Sequence, residues 1–427
     1  MNDVDKTYRN LNDLAAMATA AVSGPRLLDA ITRLAEYGAR HDGGVDRPAL
    51  SEADLEARRY LIDRARALGC TVATDACANL FIRRAGQENL PPVMTGSHAD
   101  TQPTGGKLDG CYGVLAGLEC IEALNAAGIT TRRPLDVVVW TNEEGTRFQP
   151  GAMGSSAFVD PALMARYHTA TDAAGISLES ALAAHGRAFP SLPPRPDNAA
   201  NRRAHAFIEL HIEQGPQLEL AGVPLGIVSG IQGVRWYEIT VSGVAAHAGT
   251  TPMAVRRDAM TLAIALRNEI DALARSLGKD QTRVTFGRWS VTPNSINTIP
   301  SSVTFTIDFR HPESAVLDAF DTELAMLTQR HQALSKVLFM HSSVAFDPSL
   351  LSRLDRAASA LQARTLHMTS GAFHDAMYLA RHCPTAMLFV PSRDGISHNP
   401  LEHTDDDHLV LGTRALTHCL VTLCNET

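Results

Sequence analysis

The chain has 427 residues, 45% hydrophobic and 20% charged, with 38 Lys plus Arg against 46 Asp plus Glu and a formal net charge of -8. Such a length suggests about two or three domains, or one large domain with an insertion, and the apolar content suffices for a large core without disulfide staples. The acidic balance argues against nucleic acid or an anionic membrane as the main partner.

No apolar stretch of about 18 residues occurs, so no transmembrane helix is expected. The start, MNDVDKTYRNLNDL, lacks the basic-then-apolar pattern of a secretion signal. Seven scattered cysteines without a C-x-x-C pair read as reduced thiols of a cytoplasmic protein.

In chain order, Ser51 with Asp54 reads as a capping box opening a helix to about Leu68. Strand-like runs follow at 71–77, 79–83 and 92–97, then a helix over 113–127. The run LDVVVWT at 135–141 is continuously apolar, as expected of a central strand covered on both faces. A Pro-rich surface loop is expected at 189–197 and another strand at 206–211. From about Gly230 to Phe346 the order becomes strand 237–241, helix 257–277, strand 283–290, strand 303–309, helix 314–329, strand 337–341, a βαββαβ unit of ferredoxin-like type. Helix 350–363, strand 385–390 and helix 405–423 complete the chain. The expected architecture is α/β: a layered domain with a largely parallel sheet (residues 1–229 and 347–427), interrupted by an inserted α+β domain (230–346).

Five segments concentrate His, Asp and Glu where strands end: Ser97-His98-Ala99-Asp100, Gly106-Lys107-Leu108-Asp109-Gly110, Asn142-Glu143-Glu144-Gly145, His211-Ile212-Glu213-Gln214-Gly215-Pro216 and Ser397-His398-Asn399-Pro400-Leu401-Glu402. Each alone has a bland reading as a turn, a solvated edge or a core histidine. Together they can meet, because the C-terminal ends of strands in an open α/β sheet converge on one crevice. Asp100, two residues after His98, is placed to hold the second nitrogen of a metal-bound imidazole. Three histidines and two carboxylates, with a spare carboxylate beside them, suit two divalent ions about 3.5–4 Å apart, and N/O donors favour Zn, Mn, Co or Ni.

The motifs GSHADTQPTGGKLDG, TNEEGTRF, ELHIEQGPQLE, AAHAGTTPM, NSINTIP with DFRHP, SGAFHD and GISHNPLEHT, in this order, make the chain similar to the hydantoinase/carbamoylase amidases, a branch of the metal-dependent aminoacylase and carboxypeptidase superfamily. The resemblance covers nearly the whole chain. It implies two metal ions per subunit, with His98, Asp109 and His211 at one, and Glu144 and His398 at a second that Asp109 bridges. Glu143 would be the unligated proton shuttle. His247 would act across a homodimer interface as an oxyanion donor, with Gln214, Asn297 and Arg310 binding substrate and the inserted domain serving as dimerisation domain and lid. The activity implied is cleavage of the carbamoyl C–N bond of N-carbamoyl-β-alanine or N-carbamoyl-L-amino acids, a small ureido-carboxylate substrate. The alternatives are an allantoate amidohydrolase, an aminoacylase or dipeptidase, or a metal-binding homologue without catalysis. The pair His374-Asp375 reads as structural support or a helix start, Arg147 as pocket or packing, and Trp236 and Trp289 as core of the inserted domain.

Overall fold

The computed structural model describes residues 3–196 and 203–426; Asp197, the last residue of the expected Pro-rich loop, lies outside them. The chain divides into two compact units, Met1–Ser229 with Phe346–Thr427, and Gly230–Ala345. The fold is mixed α/β.

The first unit is built on a sheet of β1 (Thr71–Thr74), β2 (Leu80–Arg84), β3 (Val93–His98), β4 (Leu135–Trp140), β5 (Ala206–Ile212), β6 (Leu225–Ile231), β7 (Thr365–Ser370) and β8 (Thr385–Val390). The strands lie in the order β1-β2-β4-β3-β5-β8-β6, with β7 also pairing β6. The four central strands β4, β3, β5 and β8 run parallel, and antiparallel pairs flank them. Every residue of β3, β4, β5 and β8 is buried. That matches the apolar runs, since a parallel strand covered on both faces has no solvent side for polar alternation. The main core packs helices Gly24–Glu36, Cys111–Ala126 and Asp406–Asn425 onto the sheet. A smaller cluster, including Leu50, Phe148, Met153 and Tyr167, fills beneath the loops.

Helix Glu52–Ala67 is capped by Ser51, whose hydroxyl accepts from the Asp54 amide at 3.3 Å. The Asp54 carboxylate reaches Leu50 N rather than the cap residue, and also pairs with Arg58 in full burial. Two helices at the start of the chain, Asp3–Ala20 and Gly24–Glu36, were not expected; Ser23 caps the second, with Pro25 in its first turn.

The second unit has strands Gly233–Ser242, Trp289–Thr292, Ser302–His311 and Leu334–His341 and helices Ala259–Gly278 and Ser314–Arg330. Its sheet order is Trp289–Thr292, Ser302–His311, Gly233–Ser242, Leu334–His341, antiparallel throughout. Strand Ser302–His311 alternates strictly, burying Val303, Phe305, Ile307 and Phe309 in a core with Leu266, Ile270, Leu317 and Phe320 from the helices. The expected strand 283–290 is broken into Arg283–Thr285 and Trp289–Thr292. Trp236 and Trp289, expected in the core, are instead 37% and 38% exposed. Trp236 falls on the odd-versus-even face opposite the buried Tyr237, Ile239 and Val241, and Trp289 stacks on Phe305 from a sheet-edge strand. Among the described residues, no helix is long and apolar enough to cross a membrane.

Candidate metal centre and active site

Because β3, β4, β5 and β8 are parallel, their C-terminal ends share one edge of the sheet. His98 is the last residue of β3, Asn142-Glu143-Glu144 follows β4, His211 is the penultimate residue of β5, and His398 lies in the loop beyond β8. Asp109 comes from the loop entering helix Cys111–Ala126.

Among the described residues three groups of side chains could each hold a metal ion: Glu209, His211 and His374, and two that share Asp109, namely His98, Asp109 and His211, and Asp109, Glu144 and His398. Within each group the ligand atoms lie within 4.8 Å of one another. Asp109 Oδ1 stands 3.2 Å from His211 Nε2 and 3.7 Å from His98 Nε2, while Oδ2 is 3.1 Å from His398 Nε2. His398 Nε2 is 3.7 Å from Glu144 Oε2. The His98 and His211 Nδ1 atoms donate to the main-chain oxygens of Asp100 and Ile212, both at 2.9 Å. His211 Nε2 also lies 3.1 Å from the Gly110 amide, and in a neutral ring with Nδ1 donating, Nε2 is the nitrogen available to a metal, the tautomer a ligand requires.

The expected role of Asp100 therefore belongs to its main-chain carbonyl. Its carboxylate stays 3.9 Å from His98 and accepts the amides of Glu143 and Glu144, both at 3.2 Å. Asp100 thus sets the turn that presents both glutamates. Burial, then the nearby Asp54, pushes its carboxyl up to about 7.

The charge pattern tests whether cations fit. The Glu143 and Glu144 side chains are 9% and 5% exposed. Burial, with Asp375 and Glu144 next, holds Glu143 well above the carboxylate range, and burial with Asp109 lifts Glu144 to about 8. Burial alone would raise Asp109 too, but hydrogen bonds from His211 and His398 keep it well below the usual value. The Asp109 bond raises His398 to about 9; His211, despite burial, rises to about 9 against the same carboxylate. Two like charges about 4 Å apart cost about 4 kcal/mol at an effective dielectric near 20. Protons on His211 and His398 thus stand where positive charge is demanded, on the two sides of Asp109. The donor set, the shared carboxylate and the tautomers fit divalent ions.

Glu143 belongs to none of these ligand groups; its Oε2 lies 3.6 Å from His98 Nε2. Gln214, expected to meet substrate, turns its amide onto Asp109 Oδ2 at 2.9 Å and Ser397 Oγ at 3.2 Å. Asn142, Gln214 and His398 all hold positive φ, +56°, +55° and +54°. Strain of this kind in non-glycine residues gathers where function imposes a geometry.

His247, Asn297 and Arg310 belong to the second unit. The segment expected as a loop contains a two-residue strand, Ala246–His247, paired with Thr298–Ile299 in the register Thr298–His247. His247 Nδ1 accepts the amides of Gly249 and Thr250 at 3.0 and 3.1 Å, so its proton resides on the exposed Nε2. Asn297 adjoins it, its main-chain oxygen bound by Ala248 N at 3.0 Å and its side-chain oxygen by Ser295 Oγ at 2.9 Å. Arg310 grips Asp308 of its own strand through Nε and an Nη atom, at 2.9 and 2.8 Å.

Three residues support the site: Gln102 and Glu209, which the sequence did not single out, and Glu402, which closes the fifth segment but had no role assigned. Gln102 binds both oxygens of Glu144, through its amide at 3.0 Å and its side chain at 2.7 Å. Glu402 accepts from Leu108 N, Asp109 N and Ser397 Oγ. Glu209 accepts from Ser97 Oγ at 2.7 Å and Ala376 N at 2.9 Å. A carboxylate inside the otherwise apolar run AFIELHI was the available signal for Glu209. His374 packs edge-on to His211, ring centroids 4.5 Å apart, and bonds Ser370 Oγ; Asp375 starts helix Ala376–Leu379. Arg147 bonds Asp172 and the Ala49 carbonyl and lies over Phe148, which is a packing role.

A sheet-edge cluster of this kind suits divalent metal ions, and residues 94–422 match the model of Peptidase family M20/M25/M40, to which the chain belongs. Within that class it is a hydantoinase/carbamoylase-family amidase and an amidohydrolase. It is 36% identical to an N-carbamoyl-L-amino acid amidohydrolase of Geobacillus stearothermophilus, over 93% of this chain and 98% of that protein. It is also 36% identical to an allantoate amidohydrolase of Escherichia coli, over 91% and 95%. Its fold is similar to that of a hydantoinase/carbamoylase-family amidase from Burkholderia multivorans, with a TM-score of 0.88, 40% identity and coverage of 95% and 98%.

Proposed function

We propose that the protein hydrolyses the carbamoyl C–N bond of N-carbamoyl amino acids, N-carbamoyl-β-alanine or N-carbamoyl-L-amino acids, to the amino acid, carbon dioxide and ammonia. The observation that carries this reading is Asp109 shared between two ligand groups, with the unligated Glu143 beside them. His98, Asp109 and His211 would hold one divalent ion, and Asp109, Glu144 and His398 the other, each Zn, Mn, Co or Ni. When bound, such a pair supplies Lewis-acid polarisation of a carbonyl and a lowered pKa for water.

Glu143 takes a proton from the attacking water and returns it to the leaving nitrogen; the environment that favours its protonated form suits the second half of that task. Gln214 releases Asp109 when the ions are bound and turns its amide to substrate. The second unit is a ferredoxin-like domain serving dimerisation and lid closure. His247 of the partner subunit donates Nε2–H to the developing oxyanion, a role its fixed tautomer supports. Asn297 and Arg310 bind the substrate carboxylate, with Asp308 holding the Arg310 fork in its planar, bidentate-ready orientation meanwhile. We place the protein in the cytoplasm, a reading supported by seven cysteines that are all free and buried.

Allantoate is the second reading, favoured by the Escherichia coli relative's name and by the same ureido-plus-carboxylate chemistry. The test is ammonia release after chelation and reloading with each of the four metals, on N-carbamoyl-β-alanine, N-carbamoyl-L-amino acids, allantoate and an N-acetyl amino acid. Metal-dependent release from an N-carbamoyl amino acid supports the proposal; release from allantoate alone transfers it to the second reading. Silence on every ureido compound with metals bound overturns both.

A further inference from the structure

Away from the metal centre, the first unit holds a cavity of about 1090 Å³ between helices Asp3–Ala20, Pro348–Ala360 and Asp406–Asn425. None of the metal-centre residues lines it. Its volume is at the top of the range of small-molecule sites. Arg353 and Arg356 reach it from one helix and Arg414 from another, in a chain whose net charge is negative. Among the described residues the carboxylates that line it, Asp13 and Glu426, are fewer, and Glu426 is taken up by Arg353 and His205.

Two features separate this cavity from an ordinary basic surface. Arg356 and Arg414 have no hydrogen bond or ion pair among the described residues. His418, also in the lining, is only 8% exposed and likewise has no hydrogen-bond partner among the described residues. Its imidazole lines the cavity and offers a hydrogen-bonding nitrogen to a ligand there. Burial, then the neighbouring Arg356, also holds the His418 imidazole below its ordinary value, so positive charge already presses on this corner of the cavity.

We propose that this cavity is a second ligand site, which binds a compact anion bearing carboxylate or phosphate groups. Arg356 and Arg414 clamp the anion from two helices and His418 bonds it from the floor. Guanidinium forks match both oxyanions bidentately, so the two chemistries share one recognition mode.

The test is calorimetric titration of the metal-loaded protein with inorganic phosphate and, separately, with succinate. The two arms distinguish the phosphate and carboxylate sources. Wild type, Arg356→Ala/Arg414→Ala and His418→Phe are compared; Arg356 and Arg414 are exposed, so the double variant keeps its fold, and the Phe variant fills the space of the ring without its polar atoms. A binding event with at least one probe that the double variant weakens tenfold or more, and that His418→Phe also weakens, is the expected result. Anion binding at the metals is recognised as competitive inhibition equal in all three proteins. Isotherms for both probes that are the same in wild type and the double variant would overturn the proposal. So would binding of an anion only at the metals.

Discussion

The Glu402 carboxylate accepts the main-chain amide of Asp109 at 3.1 Å, across 293 residues of sequence. The same oxygen takes Leu108 N at 2.9 Å, and its other oxygen takes the Ser397 hydroxyl at 2.9 Å. One buried carboxylate thus fastens the loop carrying Asp109 to the loop carrying His398. Outer partners of this kind typically tune metal affinity by about 10–100-fold. Glu402→Ala is expected to weaken metal binding by that order, measured by calorimetric titration of the chelated protein with Mn or Zn. Glu402→Gln keeps an acceptor for the two amides and should lose less. Equal affinity in Glu402→Ala and wild type would remove Glu402 from this role.

Glu143→Gln keeps the shape of the side chain and removes its proton chemistry. The expected outcome is unchanged metal stoichiometry, KM within a few-fold of wild type, and a kcat lower by about 10²–10⁴-fold, the usual contribution of a positioned acid–base group. A variant that turned over at the wild-type rate would send the shuttle role elsewhere.

Gly110, at φ +65°, carries a close approach that a glycine permits: a Cβ there would sit 2.5 Å from atoms of the His98 ring. Gly110→Ala should therefore displace His98 and lower metal affinity at least tenfold. Gly175, at φ +81° with open space around it, is the control, since its alanine variant meets the same backbone strain and no neighbour. If the two variants bound metal equally well, the His98 contact would be irrelevant.

Proton linkage sets opposite pH trends for the metal-free and metal-loaded protein. Without metal, His211 and His398 are raised from 6.5 to about 9 and Glu144 from 4.5 to about 8, so the folded chain holds protons that the unfolded chain releases. Stability from the histidines is complete below pH 6.5 and lost as pH rises through about 9; Glu144 withdraws stability between 4.5 and about 8. The metal-free Tm should fall from pH 6 to pH 9. Ligation requires those protons to leave, so metal uptake releases protons and the stabilisation by metal grows over the same window. Calorimetry in two buffers of different ionisation enthalpy reads the proton release; no release at pH 7 would contradict the picture.

Local pattern made much of this protein legible. The run 135–140, apolar except for Asp136, which pairs with Arg83, reads directly as a strand buried on both faces, and His98, Asp109, Glu143, Glu144, His211 and His398 stand out because charged and imidazole groups cluster where apolar runs stop. Strand ends in a parallel sheet must converge, so sequence alone brings those segments to one edge. Local pattern was misleading where alternation had to choose a face without knowing what covers it, as at Trp236, and where a short main-chain pairing hid inside a Gly/Thr-rich segment, as at Ala246–His247.

By itself, then, the sequence determined the element types, their order and the chemistry of the converging side chains, because those depend on neighbours a few residues away. Only the tertiary structure decided how these groups are held. Glu402 on Asp109, Gln102 on both oxygens of Glu144, the Asp100 carbonyl in place of its carboxylate, and the two Nδ1 donors that aim Nε2 inward all depend on hydrogen bonds set at atomic distances. The physical reason is that a hydrogen bond is made or lost within a few tenths of an ångström, and that position comes from how strands and helices pack.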